Sequence, residues 1–159
     1  MSQTKYPMPS HVKALALADV RGYEYRLEQY HRKIEEVLHS SYKPFDTYEV
    51  GNEERYFYHS HSNQTSRPVE GTQSRLEAIE NHPETIRMRA VEQAKHGIGI
   101  DLPQEQREKL AAAIWDSCIY GRNFTFSHYN LPTNKTTFYE RRREFLWYIA
   151  IRLGYIEEG

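Results

Sequence analysis

The C-terminal third of this chain contains one long segment with sequence signals for both ends of a helix. Asn134 stands where a side-chain oxygen caps a first turn, and Gly154 stands where a left-handed residue ends a helix. Neither Gly nor Pro occurs between them, whereas Pro132 lies just upstream and blocks the continuation of a preceding helix. The sequence therefore predicts a helix over about 134–153, and its apolar side chains require packing partners.

This helix carries more apolar surface than one packed face needs. Phe138, Phe145, Ile149 and Leu153 share one side, and the run from Phe145 to Ile151 is apolar all round. A helix that is apolar all round is buried on several sides. The sequence leaves two partners open for it, the rest of its own domain or a second subunit.

A second helical pattern lies near the N-terminus, after a tail over 1–10 that is predicted to be flexible. Its apolar and aromatic residues alternate at spacings of three and four, which predicts a helix over 11–39. Two interpretations remain open: a helix packed on its own domain, or a dimerising or hairpin-forming helix. The stripe consists of Val20, Tyr23, Leu27, Tyr30, Ile34 and Val37.

The middle of the chain combines a predicted loop with further helices. Residues such as Pro44, Gly51 and Pro68 predict a long irregular loop over 40–72, with short extended pieces at 47–50 and 55–58. Helical signals return over 73–96 with a break at 81–83, and again from Leu102-Pro103 to Gly121. The predicted inward-facing residues of these helices are Ile86, Ala90, Val91, Ala94, Leu110, Ala113, Ile114, Trp115 and Cys118.

The predicted fold class is therefore all-α: a long N-terminal helix, middle helices and a C-terminal helix-turn-helix, with one long irregular loop. Residues 73–159 would form a helical DNA-binding domain, with the helix-turn-helix at about 104–154. Within it, a short helix or turn over 123–129 precedes the turn at Asn130-Leu131-Pro132. A sharp turn followed by a helix with polar and basic residues near its start is how a helix-turn-helix reaches the DNA major groove.

The distribution of charge agrees with one DNA-facing end. The whole chain has a formal net charge of −1, which favours no nucleic-acid partner. Between Gly121 and Leu153, however, six Lys or Arg residues are opposed by two Glu residues. Local positive charge sets the affinity for phosphates. The same charges also fit a solvated helix face on which Arg141–Arg143 pair with Glu140 and Glu144.

A helical wheel divides the predicted DNA-binding residues into two groups. Those opposite the packing face would enter the groove, and the remaining arginines are placed for phosphates. The predicted groove-facing residues are Lys135, Thr136, Tyr139, Glu140 and Arg143. Asn134 and Thr137, at the start of the helix, are also predicted to bind DNA. The predicted phosphate contacts are Arg122, Arg141 and Arg142.

Other chemistry has little support in the sequence. There is no phosphate-binding Gly loop, Cys-x-x-Cys pair, His-Glu-x-x-His motif or nucleophile elbow, so we expect no enzyme, no catalytic residue and no cofactor. His59 and His61 lack a nearby Cys or acidic partner, so we expect no metal site. Cys118 excludes an intramolecular disulfide, and its apolar neighbours indicate a buried, inert thiol. With no signal peptide or membrane span, a cytoplasmic location is expected.

Several short segments, in this order, resemble the RinA/ArpU class of phage-encoded transcriptional regulators. The similar segments are Tyr25-Arg26-Leu27 through Arg32-Lys33-Ile34, Ser66-Arg67-Pro68-Val69-Glu70, Ala90-Val91-Glu92-Gln93-Ala94, Thr136-Thr137-Phe138-Tyr139-Glu140-Arg141-Arg142-Arg143 and Ile149-Ala150-Ile151-Arg152-Leu153-Gly154. The resemblance implies a sigma-region-4-like helix-turn-helix and activation of late phage operons in a bacterial host.

The partners expected from these observations are duplex DNA, a second copy of the chain in a homodimer, and host RNA polymerase. The protein would then be cytoplasmic, and associated with the nucleoid when bound. Two other functions remain open. One is the DNA-recognition (small) subunit of a phage packaging terminase, and the other is a helical protein-interaction module that does not bind DNA.

Overall fold

The computed structural model describes residues 5–46, 62–121, 131 and 133–158, and within these it describes the side chains outside 40–46 and 62–70. The described residues form six helices and no strand, so the predicted all-α class is confirmed. The helices are α1 (Ser10–Arg21), α2 (Tyr23–Asp46), α3 (Ser62–Glu80), α4 (Pro83–His96), α5 (Gln104–Tyr120) and α6 (Lys135–Arg152).

The chain divides into two compact units. The first comprises Met1–Glu24 and Arg87–Gly159, and the second comprises Tyr25–Ile86. In the first unit α1 packs on both α5 and α6, which also contact each other. The α6 residues that face this core are Phe138, Phe145, Leu146, Ile149 and Ala150, all of which are buried.

The core of the first unit is held by large side chains that meet between helices. Phe145 lies 6.4 Å from Trp115, and Tyr23 meets the same indole edge-on at 5.4 Å, both measured between ring centroids. Burying an aromatic side chain of this size contributes about 1.5–3 kcal/mol. Cys118 is buried in this core, as predicted, and burial raises the pKa of its thiol.

The second unit is joined by polar contacts between its helices. Arg26 of α2 donates to the Glu84 carboxylate at 2.7 Å, and the Tyr30 hydroxyl donates to Glu80. Val37 is buried. Two members of the predicted apolar stripe, Tyr30 and Val37, therefore already have contacts within their own chain.

Three features of the sequence prediction are wrong. The helix predicted over 11–39 is two helices, because Gly22 separates α1 from α2. The loop predicted over 40–72 is shorter, since α2 runs to Asp46 and α3 begins at Ser62. Ile86, predicted to face inward, is 48% exposed, and Met88 is buried instead. The extended pieces predicted within 47–61 lie outside the described residues, as do His59 and His61.

The structure confirms several helix ends that the sequence predicts in the C-terminal half. The break at 81–83 separates α3 from α4, and α5 starts directly after Pro103. Gly121 ends α5 with φ 62°, a left-handed conformation that glycine adopts without a steric penalty. The predicted short helix or turn over 123–129 lies outside the described residues, and so do Asn130 and Pro132.

Candidate nucleic-acid interface

The N-terminal turn of α6 is capped and open to solvent. The Asn134 side chain accepts a hydrogen bond from the Thr137 backbone N–H at 2.8 Å, as the sequence predicted. Lys135 and Thr136 are exposed beside the cap. The first N–H groups of a helix carry a partial positive charge. Together with the charge of Lys135, they make this turn favourable for anions.

Arg141 is anchored to the connection between α4 and α5. Its two terminal nitrogens donate to the two Asp101 carboxylate oxygens at 2.6 and 2.8 Å. The hydrogen bonds from the guanidinium lower the pKa of Asp101 to about 2, and the bond to the Asp101 carboxylate raises the pKa of Arg141. Arg141, predicted to contact a phosphate, therefore forms a bidentate pair with a carboxylate of its own chain. This pair attaches α6 to the connection between α4 and α5.

Arg142 lies on the core side of α6, not on an open flank. Its Nε is buried and has no hydrogen-bond partner among the described residues. The pKa of Lys13 in α1 is lowered, mainly by its own partial burial and then by the nearby positive charges of Arg142 and Arg143. Phe138, Leu146 and Ile149 share its side of the helix, and the phosphate contact of Arg142 stays a prediction.

Arg143 contacts the N-terminal segment. Its Nη1 donates to the Tyr6 carbonyl oxygen at 3.3 Å. The Tyr6 hydroxyl donates to the Glu144 carboxylate, and its ring packs against Trp147 with centroids 5.4 Å apart. The hydrogen bond to Glu144 and partial burial raise the pKa of Tyr6 to about 12. Tyr6, within the tail predicted over 1–10 to be flexible, is thus bound to α6, and residues 1–4 lie outside the described residues.

The remaining predicted site residues differ in how far their side chains are buried. Glu140 is exposed, whereas Tyr139 is half-buried and meets the Phe138 ring edge-on at 5.2 Å. Thr137 is half-buried as well. Arg122 lies outside the described residues. The exposed residues that the structure brings together at the start of α6 are Asn134, Lys135 and Thr136. In the next turn the exposed residue is the acidic Glu140.

A groove of about 480 Å³ adjoins this turn. It has a partly apolar lining and lies where α5 and the start of α6 approach each other. Ligand sites of small molecules begin at roughly this size. The lining residues are Leu102, Gln106, Leu110, Leu131, Thr133, Asn134, Thr137 and Arg141.

Sequence reasoning missed Asp101 and Tyr6, the two residues that hold arginines of α6. Asp101 lies 40 positions from its partner Arg141, and Tyr6 lies 137 positions from Arg143. No local spacing connects such residues, so only the tertiary structure identifies them. The one available signal was the surplus of arginines over acids near Glu140 and Glu144, which indicates that some arginines need distant partners.

Within the described ranges, no group of three or more His, Cys, Asp or Glu side chains is arranged to hold a metal ion. None of the helices described is both long enough and apolar enough to cross a membrane. Comparisons with protein-family models, curated proteins and solved structures find no match to this chain.

Proposed function

We propose that this protein is a sequence-specific, DNA-binding transcriptional regulator of phage or prophage late genes. The observation that supports this most is the start of α6, where Asn134 fixes the turn and Lys135 and Thr136 are exposed. In helix-turn-helix proteins, the N-terminal residues of the recognition helix contact base edges. The N-terminal turn of α6 would therefore be the part that enters the major groove.

The attachment of α6 suits this role. The bidentate pair between Arg141 and Asp101 and the packing of α6 on α1 and α5 fix the helix before any ligand arrives. A binding element that is already ordered loses less conformational entropy on association. In this account Arg141 positions the helix, and contact with base edges is left to the residues of the first turn.

The exposed residues of the turn have different expected roles. The Asn134 side-chain oxygen is used by the cap, so Asn134 mainly fixes the geometry. Lys135 can reach a phosphate or a guanine edge, and Thr136 can donate to a base or contact a thymine methyl group. Together they give one charged contact and one short-range contact.

The proposal is tested by selecting bound duplexes from a random pool with the whole chain. We expect an enriched sequence, and we expect Thr136→Ala to relax the preference at one position by roughly 1–3 kcal/mol. Lys33→Ala, which changes a residue of α2, serves as the control and should leave the preference unchanged. No enrichment with the unmodified chain would contradict sequence-specific binding.

The regulatory part of the proposal includes a homodimer that works beside host RNA polymerase. A reporter that carries upstream regions of neighbouring operons would test it in a bacterial host. We expect expression to rise when the protein is present and to fall again with Lys135→Ala. Duplex binding without any effect on the reporters would contradict the regulatory part alone.

A second function, a helical protein-interaction module, is favoured by the contacts of the arginine run. Arg141 is paired, Arg142 is partly buried, and Arg143 is bonded to Tyr6. Such a run contributes to the fold rather than to an open cationic surface. Failure to bind any duplex at low salt, with the chain folded, would favour this function over the first.

A further inference from the structure

The N-terminal segment, here called the strap (residues 5–9), is attached to the middle of α6 through one residue. Tyr6 uses three groups for this: its hydroxyl contacts Glu144, its ring contacts Trp147, and its carbonyl oxygen accepts from Arg143. Met8 packs against the core of the first unit, and Pro9 directly precedes α1. The strap is therefore fixed at both Tyr6 and Met8.

The contact with Arg143 differs from the pair that holds Arg141. Arg141 is bound by a charged carboxylate at 2.6 and 2.8 Å, whereas Arg143 donates to a neutral carbonyl at 3.3 Å. Within the described part of the chain, Arg143 makes no ion pair with a carboxylate. Because the guanidinium is charged, an anionic acceptor adds the attraction between two opposite charges, which a neutral carbonyl does not supply. A phosphate oxygen is therefore a better acceptor for Arg143 than the strap.

The strap has contacts with α6 in addition to the one it makes with Arg143. The hydroxyl of Tyr6 donates to a charged carboxylate, and the tilted ring pair with Trp147 adds apolar burial. An approaching phosphate must displace the whole of Tyr6 to reach the Arg143 guanidinium from this side. Binding of a phosphate at this side of the guanidinium and docking of the strap would then compete.

We propose that the strap is an autoinhibitory contact that occupies Arg143 and must leave before this arginine binds a DNA phosphate. The inference rests on the proposed DNA binding and adds a regulatory step to it. Anything that removes Tyr6 from α6 would increase the affinity for duplex DNA. The phosphate-binding residue that the strap covers is Arg143, two turns beyond Asn134 on α6.

The test measures the affinity of the whole chain for one fixed duplex at low salt by fluorescence anisotropy. Tyr6→Phe keeps the ring contact with Trp147 and loses the hydroxyl, and Tyr6→Ala loses both. We expect Tyr6→Ala to bind the duplex roughly threefold to tenfold more tightly, a range set by the free energy of one hydrogen bond. We expect a smaller increase in affinity for Tyr6→Phe. Tyr25→Ala, which removes an equally large but 67% exposed ring from α2, is the matched control and should change nothing.

Arg143→Ala added to Tyr6→Ala separates release of Arg143 from other effects of the strap. We expect the double variant to lose the whole gain. Brief trypsin treatment followed by intact-mass measurement shows whether the strap is docked, since cleavage after Lys5 should be faster in Tyr6→Ala than in the unmodified chain. Faster cleavage together with an unchanged melting temperature shows that the strap is released while the fold is intact.

The outcomes distinguish the inference from the proposed function. Equal affinities for all variants, with the strap released, overturn autoinhibition and leave DNA binding in place. Weaker binding by Tyr6→Ala also overturns it, because the strap would then be a DNA contact itself. If neither the unmodified chain nor any variant binds duplex DNA, both the inference and the proposed function are wrong.

Discussion

At the scale of single residues, the pair between Asp101 and Arg141 joins the first unit's connection at 97–103 to α6. Its geometry is bidentate, and Arg141 is only 25% exposed in its side chain, although Asp101 is 57% exposed. A partly screened pair of this kind contributes less than a buried one. Its main effect is to fix where the first turns of α6 lie.

The pair makes stability depend on pH in a defined direction. Asp101 has a pKa of about 2 in the folded chain, below the usual unfolded value of about 3.9. Because the folded pKa is depressed, the stabilisation is fully present above about pH 4 and is lost as the pH falls towards about 2. We expect Asp101→Asn to lower the melting temperature near neutral pH, with a difference that narrows as the pH drops below about 4.

Thermal unfolding followed by circular dichroism across this pH range checks the prediction. Glu105→Gln is the control, since it breaks a pair with Lys109 within one helix at 3.4 Å, where the carboxylate is 81% exposed. It should have little effect at any pH. If Asp101→Asn lowered the melting temperature by the same amount from neutral to acid pH, the pair with Arg141 would not be the cause of the lost stability.

The core of the first unit gives a second prediction at this scale. Phe138 is fully buried, so Phe138→Ala should destabilise the chain by about 3–5 kcal/mol. Tyr148 lies on the same helix but is 45% exposed, and Tyr148→Ala should cost less than about 1 kcal/mol. Urea denaturation monitored by tryptophan fluorescence measures both. Similar costs for the two variants would contradict the assignment of the core.

At the scale of elements, helix ends were predictable where a residue type forces them. Pro103 precedes α5, Gly121 ends it, and Asn134 caps α6 through its side chain, all local effects that the sequence contains. The ends of α2 and α3 were not predictable in this way. Pro44 and Pro68 lie within these helices, so the preference of proline for loops did not decide the structure there.

The candidate site was predictable only in part, for a related reason. Capping and exposure at Asn134, Lys135 and Thr136 follow from their position at a helix start. The helical wheel could not predict the partners of the arginines within the chain, because the direction of a long side chain depends on its partner. Those partners, Asp101 and Tyr6, come from distant parts of the chain.

The cap of α6 supports a prediction at this scale. Asn134→Ala removes the acceptor for the Thr137 N–H and should destabilise the chain by about 1 kcal/mol, while Asn134→Ser keeps an acceptor and should cost little. Urea denaturation compares the two variants. If Asn134→Ser were as destabilising as Asn134→Ala, the loss would not come from the cap.

At the scale of the whole molecule, self-association stays a prediction from the stripe between Val20 and Val37. Within the stripe, Tyr23 donates to Glu92 at 3.1 Å, and Tyr30 donates to Glu80. These contacts use part of the stripe inside one chain, whereas Leu27 and Ile34 remain partly exposed. A homodimer would place two copies of α6 on a two-fold DNA site.

Sedimentation at micromolar concentration tests for this dimer. We expect more than a monomer for the unmodified chain and a monomer for Leu27→Glu, which places a charge on the stripe. Glu28→Gln changes the next, exposed residue and is the control. A monomer in every case, with the same DNA affinity, would contradict the dimer and leave the contact made by α6 unaffected.

The proposed contact between the first turn of α6 and DNA is tested most directly by the salt dependence of duplex binding. Each phosphate contact made by a lysine contributes about 0.9 to the slope of log affinity against log salt. We predict that Lys135→Ala binds more weakly and lowers this slope by roughly one unit, whereas Lys33→Ala, with the same change of charge, leaves it unaltered. Equal slopes for all three proteins, or no binding by the unmodified chain, would contradict the account.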